Sequence, residues 1–412
     1  MIALECYDSM PYNFHLFWHT AVRSFINTDN THARLERKRL VFILLFYSVW
    51  PCWALFTGLC FWLDDLIFPA YRQQPVDSPL FILGNFRSGS TFLHRLLSRD
   101  KENFTSLRTW DIFITPSITQ HKIAGLFAEV DLHFGSPLRK LMIAIDRRSL
   151  GRVNFHHTSF FEPEEDENIL LHIWSTFFIG VMFPFLDELP PYQFFDDAIP
   201  EHERKRIMQF YRGCIQRHLY ATGGKKHFVS KNPAFSAKIE TLMDIFPDAR
   251  IIYLARNPLD MLPSTVSWLS YAWHIFNVPL EKYPYRREIL DFTQYWYRHP
   301  LDYLDRHPSQ NKMILLYDDL IRKPEETIRS FYHRFGFTDQ LALEQIVRDA
   351  VDDTRRFKSE HVYSYEEMGF TREQILASYA DIFARFGFDQ REPEASVPTM
   401  EDSMLEAVSM NG

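Results

Sequence analysis

The sequence predicts a three-layer α/β fold of the P-loop type, with helices on both faces of a central parallel sheet and a hydrophobic membrane helix or hairpin in front of it. Three observations predict it. From residue 79 onward, short apolar runs alternate with stretches of helical length and pattern. One run, Leu80–Leu83, enters a glycine turn at Gly84 and leaves as a helix after Gly89-Ser90-Thr91, the strand, loop and helix order of a phosphate-binding loop. Ahead of it, Val41–Leu63 is a run of 23 residues without a charged side chain.

Composition sets the bounds. With 46% hydrophobic and 16% aromatic residues in 412, the chain can fill a large core. A net charge of -8 leaves no general basic footprint, which argues against nucleic acid and makes any anion site local. Cys6, Cys52, Cys60 and Cys214 have neither disulfide-framework nor zinc spacing, so no metal is implied.

In chain order, residues 1–40 form an N-terminal segment ending in the basic flank Arg34, Arg37, Lys38 and Arg39. Residues 41–63 are long enough to cross a bilayer once, but Pro51 divides them into halves too short to span and opens a second possibility, a re-entrant hairpin. A buried core helix is disfavoured because Trp50, Trp53 and Trp62 among Phe and Leu leave no polar face for water. The basic flank favours a cytoplasmic N-terminus and, with one crossing, a domain in a lumen such as that of the Golgi or outside the cell. The hairpin would keep the domain cytoplasmic, and the scarcity of glycosylation sequons, Asn103-Phe-Thr105 alone, leans the same way. Residues 64–78 read as a linker, 79–390 as the catalytic domain and 391–412 as a disordered tail.

Within the domain, strands are expected at Leu80–Leu83, Phe104–Arg108, His227–Ser230, Arg250–Ala255 and Lys312–Tyr317. Helices are expected over 118–150, from Pro233 through Phe246, from about Leu259, and over 324–335. Ile169–Leu186 is a second apolar segment. It reads as a buried helix or an acceptor-pocket wall, since one more crossing would put the phosphate loop and the later anion motifs on opposite sides of the membrane.

The loop Gly84–Thr91 has the glycine spacing of the nucleoside-triphosphate loop, but Ser90 stands where that loop carries lysine, and a cation sits instead at Arg87. Arg256 leaves the end of a strand and Ser264 follows eight residues later, a guanidinium and a hydroxyl able to share one phosphate. R-S-G-S-T after a strand, followed by R-N-P-L-D with that serine, resembles the 5'-phosphosulfate and 3'-phosphate motifs of sulfotransferases that use 3'-phosphoadenosine 5'-phosphosulfate (PAPS). Phe228–Pro233, Leu316–Leu320 with Pro324, and His361-Val-Tyr363-Ser364 resemble further elements of the same family, so the likeness covers roughly residues 79–388.

The resemblance implies sulfuryl transfer from PAPS to an acceptor hydroxyl, with no metal. It places Ser88, Gly89, Ser90 and Thr91 on the 5'-phosphosulfate, Arg256 and Ser264 on the 3'-phosphate, and Arg87 on the charge of the leaving side. Lys231 is a candidate second cation or a simple salt bridge. The acceptor base is Asp111, where related enzymes carry glutamate, or His157, which with His156 precedes the acidic run Glu162-Pro-Glu164-Glu165-Asp166. Those carboxylates also suit a helix N-terminus. The membrane run points to an amphiphilic acceptor, with Trp174, Phe177 and Phe178 as possible lining. The rival readings are a P-loop kinase or NTPase, and a membrane-associated binding protein without turnover.

Overall fold

Five parallel strands form one sheet: β1 (Leu80–Gly84), β2 (Phe104–Thr105), β3 (His227–Lys231), β4 (Arg250–Ala255) and β5 (Lys312–Leu316), in the order β2-β3-β1-β4-β5. The computed structural model describes residues 10–146, 159–337, 340–356 and 365–388. His156, His157, the His361–Ser364 element and the tail from 391 lie outside these. Each run expected to be a strand is one. The run after Phe104 pairs only through Thr105, because Arg108 turns away to bridge Pro163.

Alternate residues of the strands feed two separate cores, which is what makes the fold three-layered. Leu80, Ile82, Val229, Ile252 and Leu254 pack with the helix Pro324–Phe335, whereas Phe81, Leu83, Phe228, Ile251 and Tyr253 pack with the helices Pro258–Phe276 and Arg286–Arg306. β1 is central, and the chain leaves it toward β2 on one side of the sheet but leaves the adjoining β4 toward β5 on the other. Such a reversal opens a crevice at the carboxyl ends of the strands.

In front of the sheet lie α1 (Phe14–Arg23) and α2 (Arg37–Ile67). By length and composition α2 can cross a membrane, and one of its faces, with both its ends, contacts the domain. In its first turn Arg39 donates to the carbonyls of Met182 and Phe276; in its last, Asp64 accepts from the N–H groups of Ile118 and Thr119 and from Arg217. The helix runs unbroken through Pro51, so the hairpin alternative is not formed. Nor do the tryptophans all face outward: Trp50 stacks on His172, Trp53 donates to the carbonyl of Phe113, and only Trp62 is exposed.

The segment expected as a linker is part of the fold. α2 continues to Ile67, a 3-10 turn covers Pro69–Gln73, and Tyr71 is buried under the Arg217 guanidinium. Ile169–Leu186 is buried as expected but not as one helix: a 3-10 helix, Asp166–Ile173, is followed by a single α-turn, Ile179–Met182. Trp174 takes a left-handed conformation between them.

Candidate active site

β1 ends in a glycine because nothing else fits. Gly84 has φ +140°, and a Cβ there would lie 2.5 Å from the Leu254 carbonyl oxygen of the adjoining strand. Ser236 holds its backbone on both sides, at 3.0 Å to the N–H and 3.0 Å to the carbonyl. The Asn85 side chain donates to the Thr293 carbonyl, and Thr265 donates to that of Phe86, so the loop is tied to two helices. At Gly89, with φ +83°, a Cβ would come 2.6 Å from the Tyr317 ring. Arg87 itself has φ +63°, a conformation that costs a non-glycine residue about 1–2 kcal/mol. The next helix, α3 (Ser90–Leu97), starts at the residue after Gly89 and points its N-terminus into the crevice.

Arg87, Arg256 and Ser264 come together here. Arg87 Nε donates to Ser264 Oγ at 3.0 Å, and Arg256 donates through a terminal nitrogen to the Arg87 carbonyl at 2.7 Å. The Arg256 guanidinium also lies 4.3 Å over the ring of Tyr317, at the end of β5. Two polar atoms of this cluster are buried without a protein partner: Ser88 Oγ and Arg256 Nε. A buried hydroxyl and a buried guanidinium nitrogen left open in this way suit an anion that satisfies both. Tyr317 was not among the residues expected at the site. The signal was present, since it follows the last strand directly, where the fold gathers its ligand contacts.

Of the two expectations for Lys231, a second cation or a salt bridge, the salt bridge is formed. The Lys231 ammonium is buried and donates to Glu165 at 2.7 Å, the first of three consecutive links. Asp166 accepts from Tyr211 at 2.5 Å, from Ser230 at 2.8 Å and from Asn232, and Glu167 accepts from Lys238 at 2.5 Å and from Thr176. The acidic run thus binds the carboxyl end of β3 through side chains, rather than only complementing a helix dipole. Burial pushes the Asp166 carboxyl up to about 7 despite its three donors.

Asp111, one of the two candidate bases, is likewise engaged by its neighbours. It sits in the first turn of α4 (Thr109–Phe113), fully buried, where it accepts from the Arg108 N–H at 3.0 Å and from the Arg108 guanidinium at 2.7 and 2.9 Å. His121 Nε2 lies 3.4 Å from Asp111 Oδ1, the oxygen that accepts from the Arg108 guanidinium at 2.9 Å. Burial alone would raise this carboxyl; His121 and Arg108 outweigh it and hold the group well below the usual carboxylate range. A carboxylate held that way is a weak proton acceptor. Among the described residues, no cluster of three or more His, Cys, Asp or Glu side chains is placed to hold a metal ion.

A parallel sheet with an anion-binding loop after its central strand, and arginines from loop and neighbouring strand converging on it, defines a phosphoryl- or sulfuryl-transfer fold. The narrower class follows from comparison. Residues 79–340 match the sulfotransferase family, and the chain belongs to it. The omega-hydroxy-beta-dihydromenaquinone-9 sulfotransferases of Mycobacterium bovis and Mycobacterium tuberculosis are each 24% identical over 339 residues, covering 77% of this chain and 77% of theirs. Among solved structures, a sulfotransferase from Mycobacterium avium superposes with a TM-score of 0.65 at 19% identity, over 92% of this chain and 97% of its own. A second, from Mycobacterium tuberculosis, gives 0.63 at 17% identity, over 92% and 95%. The protein is a sulfotransferase of α/β fold.

Proposed function

We propose that this sulfotransferase moves the sulfuryl group of PAPS to the hydroxyl of a membrane lipid. The observation that carries the donor is the cluster of Arg87, Arg256 and Ser264 around two buried polar atoms without partners. When bound, PAPS supplies an activated sulfuryl group, and its transfer leaves adenosine 3',5'-bisphosphate. In this reading Ser88 and the backbone N–H groups from Gly89 to Thr91 bind the 5' end, favoured by the positive end of α3. Arg256 and Ser264 bind the 3'-phosphate. Arg87, oriented by Ser264, stabilises the charge that builds on the leaving side. Lys231 holds the acidic run in place and leaves the anion to the arginines. With Asp111 occupied by Arg108, the proton of the acceptor hydroxyl falls to His157.

A lipid acceptor is supported by two independent facts. The mycobacterial relatives are named for a hydroxyl on a menaquinone. This chain carries a 31-residue apolar helix against its catalytic domain, a candidate membrane anchor. Aromatic surface is available near the loop as well: Phe177 packs on Phe86, the residue before Arg87. Calorimetry tests the donor, with adenosine 3',5'-bisphosphate expected to bind and magnesium-ATP not. Labelled PAPS incubated with a native lipid extract tests the acceptor: label should enter the chloroform phase. Binding of magnesium-ATP that ignores Arg87→Ala and Arg256→Ala would overturn the reading.

A further inference from the structure

We propose that the outer face of α2 and the hairpin formed by α5 (Ile118–His133) and α6 (Pro137–Ile145) make one docking surface for a lipid bilayer, with α2 lying in the membrane plane and not across it. This rests on the reading of the chain as a membrane enzyme, and deepens it. The first argument is geometric. At 1.5 Å per residue α2 is about 46 Å long. Both its ends are bonded to the same folded domain, Arg39 to Met182 and Phe276, Asp64 to Ile118, Thr119 and Arg217. A helix crossing the roughly 30 Å hydrocarbon layer would have to carry that domain into it. Lying flat requires no rearrangement.

The second argument is the surface itself. Leu45, Val49, Leu55, Leu59, Trp62 and Leu66 recur at three- to six-residue spacing along one stripe and are 51–77% exposed, while Arg39, Ile43, Ala54, Thr57, Phe61 and Asp64 on the opposite stripe are buried. Asp64 caps α5, so the hairpin is fixed to the end of α2. From His121 to Asp146 no residue is buried, although Leu126, Phe127, Phe134 and Leu141 are among them at 56–78% exposure. Large apolar side chains bared along the hairpin as well as along α2, with basic side chains on the same elements, call for an apolar medium edged by anionic groups, which an acyl-chain boundary under headgroups supplies. The exposed Arg37, Lys122, Arg139 and Lys140 lie on the same elements, where long basic side chains reach anionic headgroups.

Two measurements on the full chain decide it. With Cys6 and Cys52 changed to serine, Leu40→Cys and Leu66→Cys place single thiols at the two ends of α2, for an impermeant maleimide applied to sealed membrane vesicles from expressing cells. The two positions should react equally, both labelled or both protected; one labelled and one protected means a crossing and overturns the proposal. Flotation with vesicles of phosphatidylcholine and phosphatidylglycerol tests the hairpin. Wild type should float, and the pair Leu126→Glu and Phe127→Glu should cut the bound fraction by about tenfold or more while adenosine 3',5'-bisphosphate affinity is unchanged. Equal flotation of that variant overturns the role of the hairpin. Wild type that stays in solution as a dimer, dispersed by the same pair, assigns the surface to a second copy and overturns both this proposal and the membrane reading, while nucleotide binding leaves the sulfotransferase assignment standing.

Discussion

Replacing Asp111 by asparagine separates a structural carboxylate from a proton acceptor, because the two roles fail in different measurements. Asp111 caps the start of α4 from one side, accepting from the Arg108 N–H and pairing with its guanidinium through both oxygens. Losing such a cap costs about 0.5–2 kcal/mol, and losing a buried hydrogen bond to a charged group about 1.5–3 kcal/mol. The Arg108 side chain is 44% exposed, so water recovers part of the second loss and it falls at the low end. The expected destabilisation is therefore about 2–4 kcal/mol. The pH dependence follows from the depressed carboxyl: its contribution is complete above the unfolded value, near 3.8, and is lost as pH falls through the lower folded value. Wild type should lose this increment below about pH 4, and the asparagine variant should show a flatter acid limb there. Urea unfolding at neutral and acid pH reads both effects. An Asp111→Asn protein as stable as wild type, but slowed about a thousandfold in single turnover, would make Asp111 the acceptor base and refute the reasoning.

Arg256→Ala and Arg87→Ala should each weaken adenosine 3',5'-bisphosphate about 10- to 100-fold by calorimetry, the cost of a charge-assisted contact of about 1.5–3 kcal/mol. Gly84→Ala should fail to give folded protein or lose several kcal/mol, since its Cβ would meet the Leu254 carbonyl at 2.5 Å in a glycine-only conformation; wild-type melting would contradict that. Lys238→Met leaves Glu167 buried without its cation and should cost about 3–5 kcal/mol, much of it recovered by adding Glu167→Gln, a double-mutant cycle in urea. His157→Ala should lower the single-turnover rate more than it changes nucleotide affinity, and the opposite split would remove it as the base.

Much of this protein was legible from local pattern. The strands are apolar runs flanked by turns, and the loop shows itself through two glycines and an arginine within eight residues, because backbone conformation and strand burial are decided by neighbours in the chain. The pairing of Arg87 with Ser264 could be anticipated only as two motifs on separate strand ends, which the parallel sheet brings together. Other assignments were beyond any window of sequence. That Asp111 is held by Arg108 and His121, that Lys231 belongs to Glu165 across 66 residues, and that Asp64 meets Arg217 across 153 are facts of which charged groups become buried side by side. The 23 uncharged residues of α2 look the same whether they cross a bilayer or lie along a domain, since hydropathy records only what a side chain avoids. What only the tertiary structure adds is the contact at both ends of the helix, because the buried Arg39 and Asp64 find their hydrogen-bond partners in residues far along the chain that the fold brings to them.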